Sequence, residues 1–252
     1  PEGKSLVTKR PFRSPHHTVS AQALTGGGTS PKPGEISLAH NGVMFMDEFP
    51  EFDRRTKESL RQPLEDGVVT ISRTAGTFTY PSSIMLVAAM NPCPCGYFGH
   101  PTKQCTCSPT AKRRYQDKVS GPLLDRIDIH VEVSPVEYDD LSNKAEGEKS
   151  KEIKKRVDKA RKIQQQRFKG TPVTCNAKMT PKMTREYCVL DDEADELLHL
   201  SFDSFAMSAR AYDKILRLAR TIADLDDSEN IKSEHIAEAL QFRTLDRKYW
   251  DI

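Results

Sequence analysis

The stretch Gly42 to Phe52, GVMFMDEFPEF, constrains the fold more than any other, because an apolar run without polar alternation ends abruptly in two adjacent carboxylates. Such a run predicts a strand buried on both faces of a parallel sheet. Asp47 and Glu48 then stand at its carboxyl end. Open α/β sheets bind ligands there, and a hard divalent cation carrying phosphates is the usual reason to place acids together. The other reading of the same run is a strand that enters an acidic, solvated turn, so the remaining sequence has to choose.

Downstream, Asp53 can cap a helix running to about Glu65, ended by Gly67 and weakened in its last turn by Pro63. VVTISRTAGTFTY holds two β-rich runs around Thr74-Ala75-Gly76, a hairpin signal. IMLVAAM predicts a second buried strand ending at Asn91. SGPLLDRIDIHVEV puts Pro122 early in a short helix, follows it with Arg126, and predicts a third apolar strand from Ile127 to Val133. The first forty residues are rich in Pro, Gly and Ser, and predict loops with short elements in an insertion-like segment.

These elements bring an acid pair, an amide and an arginine toward one rim. A parallel sheet with its strand ends aligned supplies there a metal-binding acid, a base-like acid and a polar amide, which is what orienting water against a γ-phosphate requires. Beyond Tyr138 the polar stretch DDLSNKAEGEKS reads as a linker, over 139–150, and the remainder as helices. Ile153, Val157, Ala160 and Ile163 form one apolar stripe; Ala211, Ile215, Leu218, Ile222 and Leu225 form another; Ser233 caps a last helix carrying Ile236 and Leu240.

At 252 residues, with 29% charged and 37% hydrophobic residues and a net charge of +2, the chain is expected to be a soluble globular protein of one large or two modest domains. No apolar run approaches the ~18 residues of a membrane span and no signal peptide opens the sequence, so the expected compartment is cytoplasmic, without a membrane partner. Charge is uneven: Lys149 to Lys169 holds ten Lys and Arg against Glu152 and Asp158. That segment reads as a solvated helix face or as a phosphate-contacting surface. Four of six cysteines, Cys93, Cys95, Cys105 and Cys107, crowd into CPCGYFGHPTKQCTC. In a reducing compartment four thiolates form a closed tetrahedral zinc site more readily than a disulfide framework, with His100 as an alternative ligand.

Three features are set aside. GKS at Gly3 to Ser5 lacks the first glycine of a phosphate loop and a strand before it; GGG at Gly26 to Gly28 lacks a following Lys and reads as a flexible turn. His16 and His17 are adjacent, so on a strand they face opposite ways, and surface contacts account for them.

RPFRSPHHTVS, PKPGEISLAHNGVMFMDEFPEF, VAAMNPCPCG, GPLLDRIDI and SARAYDKILRLARTIADL together closely resemble the ComM/YifB family of magnesium-chelatase-related AAA+ ATPases, over nearly the whole chain. The resemblance implies Asp47 as the Mg²⁺-associated Walker B acid, Glu48 as the residue that polarises the water, Asn91 as sensor 1, Arg126 as an arginine finger offered to a neighbouring subunit, and Arg210 as sensor 2. Arg73 is the DNA-contact candidate, since the corresponding hairpin of related motors reaches into the ring's pore. The expected architecture is α/β: a partial AAA+ core with a parallel sheet over residues 1–138, without its Walker A portion, followed by a helical-bundle lid over 151–252. The implied function is ATP hydrolysis by a hexameric ring acting on DNA, in branch migration during recombination or transformation, with ATP, Mg²⁺ and a structural Zn²⁺. The alternatives are chelatase-like remodelling of a protein partner and a non-catalytic zinc-bearing interaction module.

Overall fold

The structure is a computed structural model that describes residues 9–74, 76–135, 147–204 and 207–243. The expected linker and the end of the α/β part near Tyr138 lie largely outside the described residues, as does GKS at Gly3. The chain divides into two units, Pro1–Ile127 and Asp128–Trp250.

The first unit is α/β. A parallel sheet of three strands runs in the order β1 (Phe12–Arg13), β4 (Val43–Met46), β7 (Met85–Ala88). Between β1 and β4 lie α1 (Ala21–Thr25), β2 (Gly26–Gly27), β3 (Lys32–Pro33) and α2 (Glu35–Leu38). The glycine run is therefore more than a turn: Gly26 pairs with Pro33 and Gly27 with Lys32 in an antiparallel hairpin. Gly42 precedes β4 because the neighbouring chain passes too close for a side chain; a Cβ there would lie 2.0 Å from the Pro11 carbonyl oxygen.

β4 differs from the expectation of a strand buried on both faces. Met44 and Met46 are fully buried, whereas Val43 and Phe45 are half-covered, with the Phe45 ring stacked on Phe12. β7 differs further. It is an edge strand in this sheet, and Met85 is 59% exposed and Val87 40%. The expected strand from Ile127 to Val133 is absent: those residues pair with no strand, Val131 and Val133 stand exposed, and His130 is buried instead, its N–H donating to the Phe242 carbonyl. Apolar alternation specifies a strand only where a partner edge takes up its backbone groups.

The helix expected from Asp53 to Glu65 is two helices, α3 (Arg54–Glu58) and α4 (Arg61–Asp66). Pro63 accounts for the break. It has no N–H for the Ser59 carbonyl four residues back, and its ring clashes with that carbonyl in a continuous helix. Asp53 caps α3 through the Arg55 N–H at 3.0 Å, and Gly67 ends α4 at φ 67°. The hairpin follows as expected, β5 (Val68–Arg73) antiparallel to β6 (Gly76–Pro81) with Arg73 opposite Gly76. Val69 and Ile71 turn inward onto Leu24, Ile36, Met44, Met46, Phe49 and Leu60. After β7 come α5 (Pro109–Gln116), capped by Ser108, and α6 (Gly121–Leu124), which Pro122 helps to start.

The second unit is helical: α7 (Ser150–Arg167), α8 (Pro181–Tyr187), α9 (Asp192–Ser204), α10 (Ala209–Leu225) and α11 (Ser233–Gln241). Its core gathers Phe168, Leu198, Ile215, Ala219, Ile222, Ala223, Ile231 and Ile236. The expected stripe on α7 is buried only from Ala160 onward, since Ile153 and Val157 are exposed. On α10, Leu225 is exposed and Ala219 and Ala223 take the buried positions. Ser233 is the first residue of α11 rather than its cap; its hydroxyl donates to Glu193, and the Lys232 N–H is taken by His235 Nδ1 at 3.0 Å.

A buried ion network joins α10 to α7. Asp224, fully buried, accepts from Arg167 at 2.7 Å, from Arg220 at 3.1 Å and from Asn176 at 2.7 Å. Arg220 also donates to the Glu229 carbonyl at 2.6 Å. Removing the shared carboxylate strands two guanidinium groups in a dry environment. Asp224→Asn should therefore lower unfolding stability by about 3–5 kcal/mol, read by urea titration with circular dichroism; a loss under about 1 kcal/mol would show that the network does not hold these helices.

Candidate functional site

The β4–β7 ladder is in register from Val43↔Met85 to Met46↔Ala88, and it is extended past both strand ends by Ala89 N–H to the Met46 carbonyl and Phe49 N–H to the Ala89 carbonyl, each 2.9 Å. Parallel pairing makes both carboxyl ends open on the same rim. Asp47 and Glu48 leave β4 there, and Asn91 follows β7 three residues beyond Ala88; all three are exposed. The structure thus brings the two acids and the amide to one sheet edge.

Asp47 Oδ1 accepts the Glu48 N–H at 2.8 Å, which leaves its other oxygen for a cation. Glu48 adopts the left-handed conformation at φ 51°, ψ 42°, unusual for a side chain of its kind, and this turn swings the chain into the 3₁₀ turn Phe49–Glu51. Lys57 fixes that turn from beneath. Buried itself, its ammonium donates to the Pro50 carbonyl at 2.9 Å and to the Phe52 carbonyl, and burial, then the Lys118 charge, lowers its pKa.

Glu48 Oε2 lies 2.9 Å from His17 Nδ1, and the His17 ring packs against His16 at 4.1 Å and edge-on to Phe52 at 6.5 Å. The sequence reading set His17 aside, and the pair of adjacent histidines in a loop carries no spacing signal that could have found this contact.

Arg126 lies just beyond α6. Its guanidinium donates to Pro122 O at 2.6 Å and pairs with Glu65 at the end of α4, leaving the side chain 11% exposed and its Nε buried without a partner among the described residues. Arg73 does not stand free at the hairpin tip. Its Nη2 folds against Gly27, 3.0 Å from where a Cβ would stand there. Arg210 lies in the first turn of α10, exposed, next to the Ser208 cap. Arg217 is structural, reaching Thr184 and the Ala177 carbonyl at 3.4 Å each.

Two residues past Asn91 begins the cysteine cluster. Cys93, fully buried, has its Sγ 3.4 Å from Cys95 Sγ and 3.7 Å from Cys105 Sγ; Cys95 and Cys105 are 3.6 Å apart, and all four Sγ atoms lie within 4.8 Å of one another. Tetrahedral thiolate sites with metal–sulfur bonds of ~2.3 Å place sulfurs about 3.8 Å apart, so this donor set fits zinc. N–H groups of Tyr97 and Thr106 on Cys95 draw its pKa down to about 5, while burial and the neighbouring thiols push Cys107 up to about 11. His100 stands outside the four-thiol group: its Nδ1 accepts from Thr102 and Lys103 N–H groups and its ring meets Tyr97. Tyr115 on α5 has its pKa raised by burial and then by the nearby Glu51 and Cys93 charges, so the segment after the cluster returns to the rim.

Residues 1–141 match the family described as magnesium chelatase, subunit ChlI, and residues 147–243 match its C-terminal family. The chain is 43% identical over 240 residues to the uncharacterized protein YifB of Salmonella typhimurium, covering 95% of this chain and 46% of that protein. It is 43% identical over 240 residues to the competence protein ComM of Haemophilus influenzae, with the same 95% and 46% coverage. Against the magnesium-chelatase 38 kDa subunit of Chlorobaculum parvum the identity is 22% over 224 residues, covering 85% of this chain and 55% of that protein. The chain spans about half the length of the curated relatives it matches.

The left-handed backbone at Glu48 reverses the usual ranking of small residues. Glu48→Gly should leave the protein about 1 kcal/mol more stable than Glu48→Ala, because alanine retains the strained conformation that glycine relieves. Comparative thermal unfolding of the two variants checks this, and an alanine variant at least as stable would refute the strain.

Proposed function

The chain belongs to the magnesium chelatase ChlI family, and on that premise we propose that it supplies the hydrolytic rim and the lid of an ATP-driven AAA+ motor acting on DNA. The observation that carries the proposal is the parallel β4–β7 register, which sets Asp47, Glu48 and Asn91 at one strand-end rim. Asp47 would hold Mg²⁺ through its remaining carboxylate oxygen, and the ion supplies charge neutralisation for the phosphates when bound. Glu48 orients and polarises the attacking water; Asn91 fixes the geometry of the phosphate end. Arg126 serves a neighbouring subunit in a hexameric ring, where its charge would spread over the transferring phosphoryl group, and Arg210 acts as the lid's sensor.

DNA is the proposed partner because of the similarity to a competence protein and the cation-rich α7. Chelatase-like remodelling of a protein partner is the second reading, favoured by the ChlI family match. DNA binding that weakens steeply with salt separates the two. The cysteine cluster holds a structural zinc that clamps the chain following Asn91, and the protein acts in the cytoplasm.

Phosphate cradling needs a glycine-rich loop and a lysine, so residues 1–252 alone should bind ATP weakly and turn it over negligibly. A chain extended upstream to include such a loop should hydrolyse ATP and lose at least about 100-fold in turnover with Glu48→Gln. Equal turnover with and without the extension, or an unaffected Glu48→Gln enzyme, overturns the assignment. Mixing extended Arg126→Ala and Glu48→Gln proteins should restore part of the activity through mixed interfaces; no recovery in co-assembled rings removes the finger in trans.

Metal analysis of protein purified without chelator should give about one zinc per chain, lost on Cys93→Ser. Fully folded, metal-free protein with four reactive thiols would refute the clamp.

A further inference from the structure

The segment from Gly96 to Gln116 contains Lys103, Lys112, Arg113 and Arg114, together with His100, and no Asp or Glu. Among the described residues none of these four cations makes an ion pair. Two aromatic rings, Tyr97 and Phe98, stand exposed on the same segment at 38% and 37%. Lys103 Nζ lies 5.0 Å from the Tyr97 ring centroid and Lys112 Nζ 4.4 Å from that of Phe98, so the rings and the cations form one surface. The loop runs from Cys93 and Cys95 to Cys105 and Cys107, whose thiols bring its two ends within 4.8 Å of one another, before α5 begins at Pro109.

This composition has a specific chemical meaning. Exposed rings beside cations that lack a carboxylate partner among the described residues match a ligand that offers both flat π-faces and regularly spaced negative charge. A single nucleic-acid strand does so: its bases are free to stack on Tyr and Phe, and its phosphates meet Lys and Arg. A duplex hides its base faces, and an acidic peptide or an anionic lipid surface uses the cations while leaving the rings without stacking partners. The two ends of the loop lie together, which shortens the segment that carries the rings, so less ordering opposes association.

We propose that the loop Gly96–Gln104, whose ends meet at the cysteine cluster, and the adjoining turns of α5 form a binding surface for single-stranded nucleic acid. The inference deepens the DNA reading above by locating a contact surface and naming the strand form, and it rests on that reading for nothing but the expectation that nucleic acid is present.

Fluorescence anisotropy of a labelled short oligothymidylate tests it with the whole chain, in a salt series, beside the same measurement on a duplex and on phosphatidylserine vesicles. The expected result is binding of the single strand in preference to the duplex. Tyr97→Ala with Phe98→Ala should weaken it roughly tenfold to a hundredfold with the salt slope unchanged, and Tyr97→Phe should restore most of that affinity. Lys103→Gln with Lys112→Gln should instead flatten the log affinity against log salt slope by about 1.4, at ~0.7 per phosphate contact on a single strand. Both positions are exposed or half-exposed, and unchanged circular dichroism would confirm that the variants fold. Single-strand binding that none of these variants alters overturns the surface while leaving the DNA reading standing. Duplex binding without single-strand preference also overturns it, as does a preference for vesicles. Absence of any nucleic-acid binding at low salt overturns it together with the DNA reading.

Discussion

The parallel pairing of β4 with β7 is the interaction on which the rest of the candidate site depends. Its hydrogen bonds run from Met85 N–H on the Gly42 carbonyl to Ala89 N–H on the Met46 carbonyl, and the entry side is pinned as well, since Asn41 N–H donates to Ser83 O at 2.7 Å and Ser83 N–H to His40 Nδ1 at 3.0 Å. A slip of one residue in this ladder would turn Met44 and Met46 out of the core and carry Asp47 away from Asn91. The fully buried methionines therefore set the position of the acids, although they take no part in chemistry. Packing specifies register, and register specifies the rim.

What leaves the ladder is held as tightly as the ladder itself. Glu48 can occupy its left-handed conformation because the Phe49 N–H is anchored on Ala89 and because Lys57 engages two carbonyls of the following turn from inside the core. A buried ammonium is expensive unless it is fully hydrogen-bonded, so Lys57 is evidence that this turn is held in one shape. On the other strand, Asn91 is followed at once by Pro92 and the buried Cys93, whose thiol lies among those of Cys95, Cys105 and Cys107. The exit from β4 is thus clamped by a lysine and carbonyls, and the exit from β7 runs directly into the cluster of thiols.

The acids, the amide, the hairpin and the cysteine cluster were legible in the sequence because each depends on short-range information: an apolar run with a polar terminus, a turn with glycine, or a spacing of thiols. Contacts between distant segments were not. His17 reaches Glu48 across 31 residues of sequence, and nothing in an adjacent pair of histidines encodes that approach. Ile127 to Val133 carries the alternation of a strand, yet alternation says nothing about whether a neighbouring edge is there to receive it. The α7 stripe failed for a related reason. Periodicity marked the face of Ile153 and Val157 correctly, but only the part from Ala160 onward has a partner in the described structure. Pro63 was read as weakening the last turn, whereas its effect falls four residues earlier, on the carbonyl that its missing N–H would have served.

Arg126 is held in a pose that sets an ion pair against a buried, unsatisfied donor. Its ion pair with Glu65 and its bond to Pro122 hold the guanidinium largely out of water, but Nε is buried without a partner among the described residues. An unsatisfied donor of that kind costs roughly 1–3 kcal/mol, which offsets part of the attraction to Glu65. Glu65 is itself half-exposed, so the pair is partly screened. The pose is therefore a shallow one. Under the proposed function, a phosphate group at a neighbouring subunit would compete with one partly solvated carboxylate for this guanidinium, and the forked geometry of arginine favours the ligand that can take two parallel bonds. Glu65 sits at the end of α4, directly before the hairpin β5–β6, so the ion pair with Arg126 bears on the helix end from which the hairpin springs. Through that carboxylate Arg126 and the start of the hairpin share one electrostatic contact.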